Sequence, residues 1–345
     1  VHDVKESIGS PAILSSVSIL HDLNTARTLE EIRARSRQVT EKAPNVTLVR
    51  DRIAELAAEY VPPTDGLGAP LDTPYLHLGR GLDTFAYVVV LGSIRFGSGY
   101  HKKLAKRADL SVAQTIAAGL SDRFAKHGAL TPRELSSTTS ADCAAVFGQD
   151  LADASQAEVM ELFARALRDL GRMLTEQYQG SFESLSAATE GSALRLIEIL
   201  VQIPFFADVQ TYRGLEVPFL LRAQRIAVDL AQAFEGRDLG RFEDLELLAP
   251  SADNVIPHVL RTDGVLRYDR GLMERIDRGE PVPAHTEREV EIRASAVDAV
   301  ERLVADIRAR GVATTHVHVD AWLRQRGRHP SYREKPRHRS RTVFY

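Results

Sequence analysis

A single cysteine, Cys143, and three methionines are all the sulfur this chain contains. No internal disulfide is possible, and a thiolate metal cluster is excluded. Cysteine usage of this kind suits a reducing compartment. No apolar run is long enough to span a bilayer, and the first residues show no basic-then-apolar signal pattern. The expectation is a cytoplasmic protein that does not engage a membrane. Charge of neither sign dominates: the net charge is −3, which exerts no global pull toward nucleic acid or anionic lipid. The P-loop, the dinucleotide GxGxxG context, HExxH and the GxSxG elbow are all missing. Gly79-Arg-Gly81 and Phe96-Gly-Ser-Gly99 lack strand-to-helix phosphate-loop spacing, so structural turns are the simpler reading. There is no internal repeat and no low-complexity tract.

What is present is the composition of a soluble globular chain. Of 345 residues, 44% are apolar and 26% charged. Helix signals dominate. Thr28-Leu-Glu-Glu31, Thr131-Pro-Arg-Glu134 and Ser155-Gln-Ala-Glu158 fit capping boxes. Apolar stripes at helical spacing run over 51–60, 109–127, 159–174 and 287–308, with short helices at 182–188 and 192–201. Val46 to Val49 reads as a short strand, and residues 208–217 as a β-hairpin turning at Arg213-Gly214. Thr84 to Ile94 is apolar enough for a strand or a buried helix, and periodicity does not separate them. Thr315 to Leu323 alternates; as a strand it would put His316 and His318 on one face, a metal pair with no third ligand in sight. The sequence predicts a mainly α protein with one small β-hairpin. It predicts a single domain over 1–345, in which 1–65 form a helical lead and 66–345 the core.

The organising stretch is Val217 to Leu260. Pro218 suits a first helical turn. The helix it introduces is apolar around most of its surface, yet carries Arg222, Gln224, Arg225 and Asp229. Buried charges need partners, so this helix builds a polar site or lies partly at the surface. A glycine-rich break follows, then Ser251-Ala-Asp-Asn254 ahead of an apolar run. Asp253 there caps a helix or faces a cleft. Cys143 reads as a small core residue. The basic stretch 324–341 reads as solvated or internally paired in preference to RNA-binding, because aromatic rings are not interleaved within it.

Several segments in series carry a resemblance. They are Ile94-Arg-Phe-Gly-Ser-Gly-Tyr100, Thr211-Tyr-Arg-Gly-Leu-Glu-Val-Pro-Phe219, Arg222-Ala-Gln224, Ala252-Asp253, His258-Val-Leu260, Gly264-Val-Leu-Arg-Tyr268, Glu289-Val-Glu-Ile-Arg293, Asp320 and Val343-Phe-Tyr345. In this order and spacing, from about Leu78 onward, the chain resembles the queuosine salvage protein family, the queuosine 5′-phosphate N-glycosylase/hydrolases. The resemblance implies a helical fold similar to DNA glycosylases and release of the 7-deazaguanine base queuine from a nucleotide. It puts the catalytic carboxylate at Asp253. Base and ribose contacts fall on Ser251, Ala252, Asn254 and Ile256, with His77 and Asp320. Phe96, Arg222 and Asp229 complete the candidate substrate-binding set. The implied partner is a small-molecule nucleotide, queuosine 5′-phosphate or its nucleoside. The implied chemistry requires no metal or redox cofactor, and direct tRNA binding is not expected.

The sequence departs from the family pattern at site positions. Leu220-Leu221 stand where an aromatic-lysine pair is expected, and Ser251 where phenylalanine is. Gly92 and Arg95 replace Asp and Asn, and Trp322 and Arg324 replace an aromatic and a tryptophan. Arg222 is one position from the missing lysine, which turns a helical side chain by about 100°. Two alternatives therefore stay open: a catalytically altered or inactive paralogue that binds a purine-like nucleotide, and a helical nucleic-acid-binding protein using the basic tail.

Overall fold

The computed structural model describes residues 25–63, 67 and 76–345. The chain is mainly α-helical. In order, the elements are α1 Thr25–Lys42, β1 Val46–Leu48, α2 Arg50–Ala58, α3 Leu82–Ile94, α4 Val112–His127, α5 Pro132–Ser137, α6 Ser140–Phe147, α7 Ala154–Gln177, α8 Phe182–Ala188 and α9 Ala193–Leu200. The hairpin β2 Val209–Tyr212 and β3 Leu215–Pro218 comes next, then α10 Leu221–Ala233, α11 Ile256–Thr262, β4 Leu266–Tyr268, α12 Arg270–Asp277, α13 Glu287–Ala309, α14 His316–Arg326 and α15 Pro330–Arg333. The hairpin turns at Arg213-Gly214 as expected, both with positive φ, as a type I′ turn requires. There is a second β element: β1 pairs antiparallel with β4, Val46 opposite Tyr268. Among the described residues no helix is long and apolar enough to cross a membrane.

The chain forms two compact units. One takes the described residues before 70, with 208–221 and 244–341; the other takes those from 76 to 207, with 222–243 and 342–345.

The first unit is built around α13, buried on nearly every side from Glu289 to Val300. Burial all round forces each charge on it to find a partner. Glu291 accepts from the Asn45 amide at 2.8 Å and from the Tyr212 hydroxyl at 3.2 Å, and Asp298 pairs with Arg302 at 3.1 Å. The sequence-expected helical lead belongs to this core. Leu29, Ile32, Ser36 and Val39 share a buried stripe of α1, which packs on α13, as does α2 through Ile53, Leu56 and Ala57. Thr28 is a buried residue inside α1, so it is not the cap it resembles. Of the expected lead over 1–65, residues 1–24 and 64–65 lie outside the described residues.

The second unit centres on α3. The 84–94 segment is a helix, buried from Thr84 to Ile94 and packed on α4, α7 and α8. Its β-branched content yields to packing on all faces. The Thr131 box is present; the cap of α6 is Thr139, and that of α7 is Asp153, two residues before the expected Ser155. Cys143 is buried, which pushes its thiol up to about 12. Gly92 lies so close to the Ile226 side chain that a Cβ there would require Ile226 to shift.

Candidate active site

In the first unit, Pro218 ends β3 instead of opening a helix. The loop that follows residue 244 leads to Asp253, whose carboxylate does two things at once. Oδ1 accepts from the amides of Val255 at 2.8 Å and Ile256 at 3.1 Å, covering the exposed start of α11. Oδ2 accepts from Arg324 Nη1 at 2.6 Å. The Asp253 side chain is 15% exposed. Burial alone raises its pKa, but the Arg324 guanidinium and the two amides more than offset it. The net result is a carboxyl held below the usual carboxylate range, and hence an anion.

Asp320, on α14, is the second acid of the loop. Its Oδ2 accepts from the Ser251 amide at 2.8 Å, and its Oδ1 is buried with no hydrogen-bond partner. Burial raises its pKa, which Arg324 and the Ser251 donors oppose and the charge of Asp253 reinforces. The two acids are therefore driven apart, the pattern of a site in which one carboxyl is an anion and another more readily keeps a proton.

The loop backbone is anchored from α13. Arg293 Nε donates to the Ala252 carbonyl at 2.8 Å, and Nη1 donates to Asp208 Oδ1 at 3.1 Å while Nη2 reaches Oδ2. The guanidinium lies 4.0 Å from the Phe219 ring centroid. His338, from the segment after α15, feels the charge of Asp253. Burial pushes its imidazole down to about 3, so it is neutral at ordinary pH.

The structure brings together Ser251, Ala252, Asp253, Asn254, Ile256 and Asp320, with Ala252, Asn254 and Ile256 buried. His77, Phe96, Arg222 and Asp229 belong to the second unit. His77 is buried against Tyr87 and Phe124, its Nε2 without a hydrogen-bond partner. Phe96 packs edge-on to Phe163 at 5.2 Å. Asp229 is paired with Arg95 at 2.6 Å and Arg225 at 2.8 Å. Arg222 gives its two terminal nitrogens to four carbonyls, those of Phe205, Val343, Gly92 and Ser93, at 2.5–2.9 Å. The candidate set did not include Asp208, Arg293, Arg324 or His338. Signals existed for two of them: Arg293 closes one of the segments that carry the resemblance, and Arg324 is one of the departures at site positions; His338 is indistinguishable from the basic tail around it.

One other expectation changes, that of a strand over 315–323, and one is met, that of an internally paired tail. Residues 316–326 are a helix, so His316 and His318 point to different faces, about 200° apart. His316 pairs with Glu301 at 2.8 Å, and among the described residues no group of three His, Cys, Asp or Glu is placed to hold a metal. The basic tail is internally paired: Arg326 bonds Asp263 at 2.9 Å and Glu59 at 2.8 Å, and His338 and Ser340 are buried.

The sequence profile described as queuosine salvage protein matches residues 83–345. The chain belongs to the queuosine salvage protein family. It is 34% identical over 316 residues to the queuosine 5′-phosphate N-glycosylase/hydrolase of Sphaerobacter thermophilus, across 90% of this chain and 96% of that protein. Proteins of the same name in Dictyostelium discoideum and Schizosaccharomyces pombe are 31% and 30% identical. The first match spans 58% of this chain and 60% of its relative, the second 50% of each. All the residues gathered around Asp253 fall within the span matched to the queuosine salvage profile.

Proposed function

We propose that this chain is an N-glycosidase that hydrolyses the ribosyl C–N bond of queuosine 5′-phosphate and releases queuine. Membership in the queuosine salvage family supports the substrate, and the ionised, ion-paired carboxylate of Asp253 supports the chemistry. That carboxylate is the observation that carries the mechanism. Breaking a ribosyl C–N bond builds positive charge on the sugar, as in oxocarbenium-like glycoside hydrolysis. A fixed anion at the anomeric carbon stabilises that charge without reorganising. Asp253 meets this need because its ionisation and its position are both set before substrate arrives. Ser251, Ala252, Asn254 and Ile256 then line the nucleoside's approach.

A 7-deaza base has no N7 to protonate, so leaving-group help comes through its other polar edges. Asp320 is suited to gripping the base in place, with a buried Oδ1 that has no partner and accepts an N–H or cationic group of the base; it orients the leaving group and does not supply its proton. Substrate is read here as free nucleotide rather than tRNA. The arginines of the tail that would meet a nucleic-acid backbone are in part spent on Asp253, Asp263 and Glu59.

The test is incubation with queuosine 5′-phosphate and chromatography for free queuine. Release is expected, and Asp253→Asn is expected to lower it by at least roughly a thousandfold, with a melting temperature near wild type. No product at high wild-type enzyme concentration, or a fully active Asp253→Asn, overturns the reading.

A further inference from the structure

We propose that Arg324 is the positioning residue of this site, a role that rests on the glycosidase reading above: it fixes the plane of the Asp253 carboxylate and preserves its negative charge. An ionised carboxylate has about four acceptor directions. The Val255 and Ile256 amides take two on Oδ1, and Arg324 takes one on Oδ2. A single direction, on Oδ2, is left to face the sugar. Remove Arg324 and the carboxylate pivots about Oδ1, so the angle at which the anion meets the anomeric carbon is no longer set.

The placement on α14 is what makes this work. Arg324 lies one helical turn after Asp320, so the two side chains emerge on the same face. Asp320 grips the Ser251 amide and Arg324 the Asp253 carboxylate, while Arg293 on α13 grips the Ala252 carbonyl between them. Three consecutive residues of the loop are thus held by three long-range polar contacts. The charged groups around Asp253 are Arg324 and Asp320 from α14, Arg337 and His338 from the C-terminal segment, and Arg293 behind the backbone. Asp320 repels the charge on Asp253, and His338 is neutral. Arg324 is the guanidinium bonded to the carboxylate, and it offsets the repulsion between the two acids.

The test uses the full chain with Arg324→Met and Arg324→Lys. The Asp253 carboxyl is followed by carbon NMR in aspartate-labelled protein, its resonance assigned by Asp253→Asn. The pH profile of kcat/KM for queuine release is measured in parallel. In Arg324→Met, both the carboxyl titration and the acid limb are expected to move to higher pH. Its kcat is expected to fall on the order of 100-fold with KM nearly unchanged. Arg324→Lys is expected to return the titration toward wild type but to recover only part of kcat, since one ammonium does not hold a plane. An unmoved titration in Arg324→Met, an unchanged kcat, or a loss confined to KM overturns the proposal; the last would make Arg324 a substrate contact. If Arg324→Met does not fold, the Lys variant decides, because an unchanged kcat there also overturns it. If wild type releases no queuine, the glycosidase reading falls, and the titration alone judges whether Arg324 governs Asp253.

Discussion

Each unit of the molecule buries one arginine almost completely, and the two solve the same problem differently. Arg293, in the first unit, is neutralised by a carboxylate, Asp208, with Glu289 at 3.6 Å and one carbonyl besides. Arg222, in the second, bonds four carbonyls and lies between Phe96 and Phe206, 4.7 Å from each ring centroid. Carbonyl dipoles and aromatic faces each attract a positive charge. The difference follows from what each arginine holds. Arg222 ties backbone to backbone, joining the end of α3, the turn at Phe205 and the chain at Val343. Arg293 holds the loop of an ionised acid, where an unbalanced positive charge would compete for Asp253. A carboxylate of its own keeps its charge local.

The largest effect that tests this contrast is Asp208→Asn. It removes the carboxylate that bonds the buried Arg293 guanidinium and leaves only Glu289, at 3.6 Å, to balance it; chemical denaturation is expected to show a loss of about 3–5 kcal/mol. Queuine release is expected to fall with it, because the guanidinium that holds the Ala252 carbonyl loses the acid that orients it. If Asp208→Asn unfolds with the wild type, the carboxylate is not what sustains Arg293, and the contrast is lost. Next comes Arg222→Met, which strands carbonyls but removes the cost of burying a charge. A loss of about 2–3 kcal/mol is expected. Arg222→Lys should do no better, since an ammonium does not span four acceptors. Full rescue by lysine would mean that charge, not the fork of donors, is what the second unit uses.

The smallest expected effect is acid sensitivity at His338, in the unit that pairs charge with charge. Burial, then His258, Arg261 and Arg293, lower its pKa to about 3 from 6.5, against the opposing pull of Asp253. The folded value lies below the unfolded one, so the folded chain resists protonation. Its contribution to stability is complete above about pH 6.5 and drains away as pH falls toward 3. Between about pH 7.5 and 5 this amounts to about 2 kcal/mol. His338→Gln is expected to flatten that part of the stability–pH curve, read by denaturation at each pH. An unchanged slope would place the acid sensitivity elsewhere.

Much of this was legible in the residues. Periodicity located α2, α4, α7 and α13, because a one-sided apolar stripe is written in local spacing. The Arg213-Gly214 turn was legible because few residue pairs suit two positive φ angles. Local rules fell short where they met full burial or a neighbouring alternative. Residues 84–94 stayed open between strand and buried helix and are helical, since packing on every side overrides a weak propensity for strand. Residues 315–323 alternate like a strand, but Thr315 caps a helix by accepting from the His318 amide at 3.3 Å. Asp253 was visible both as a cap and as a catalytic acid; in the structure Val255 is the N-cap of α11, and Asp253 accepts from the Val255 and Ile256 amides while ion-paired to Arg324.

By itself, then, the sequence determined a helical chain, its family and the candidate aspartate of the proposed chemistry, because those properties reside in spacing and in short ordered segments. Only the tertiary structure decided what stands around that aspartate. Arg324 is 71 residues away from it, and Asp208 and Arg293 are 85 apart. Contacts at such separations depend on how α13 and α14 pack, and a charge on an exposed-looking basic stretch carries no mark of the acid it will meet. The ionisation of Asp253 belongs to that second category: it is a property of its neighbours, and the fold selects them.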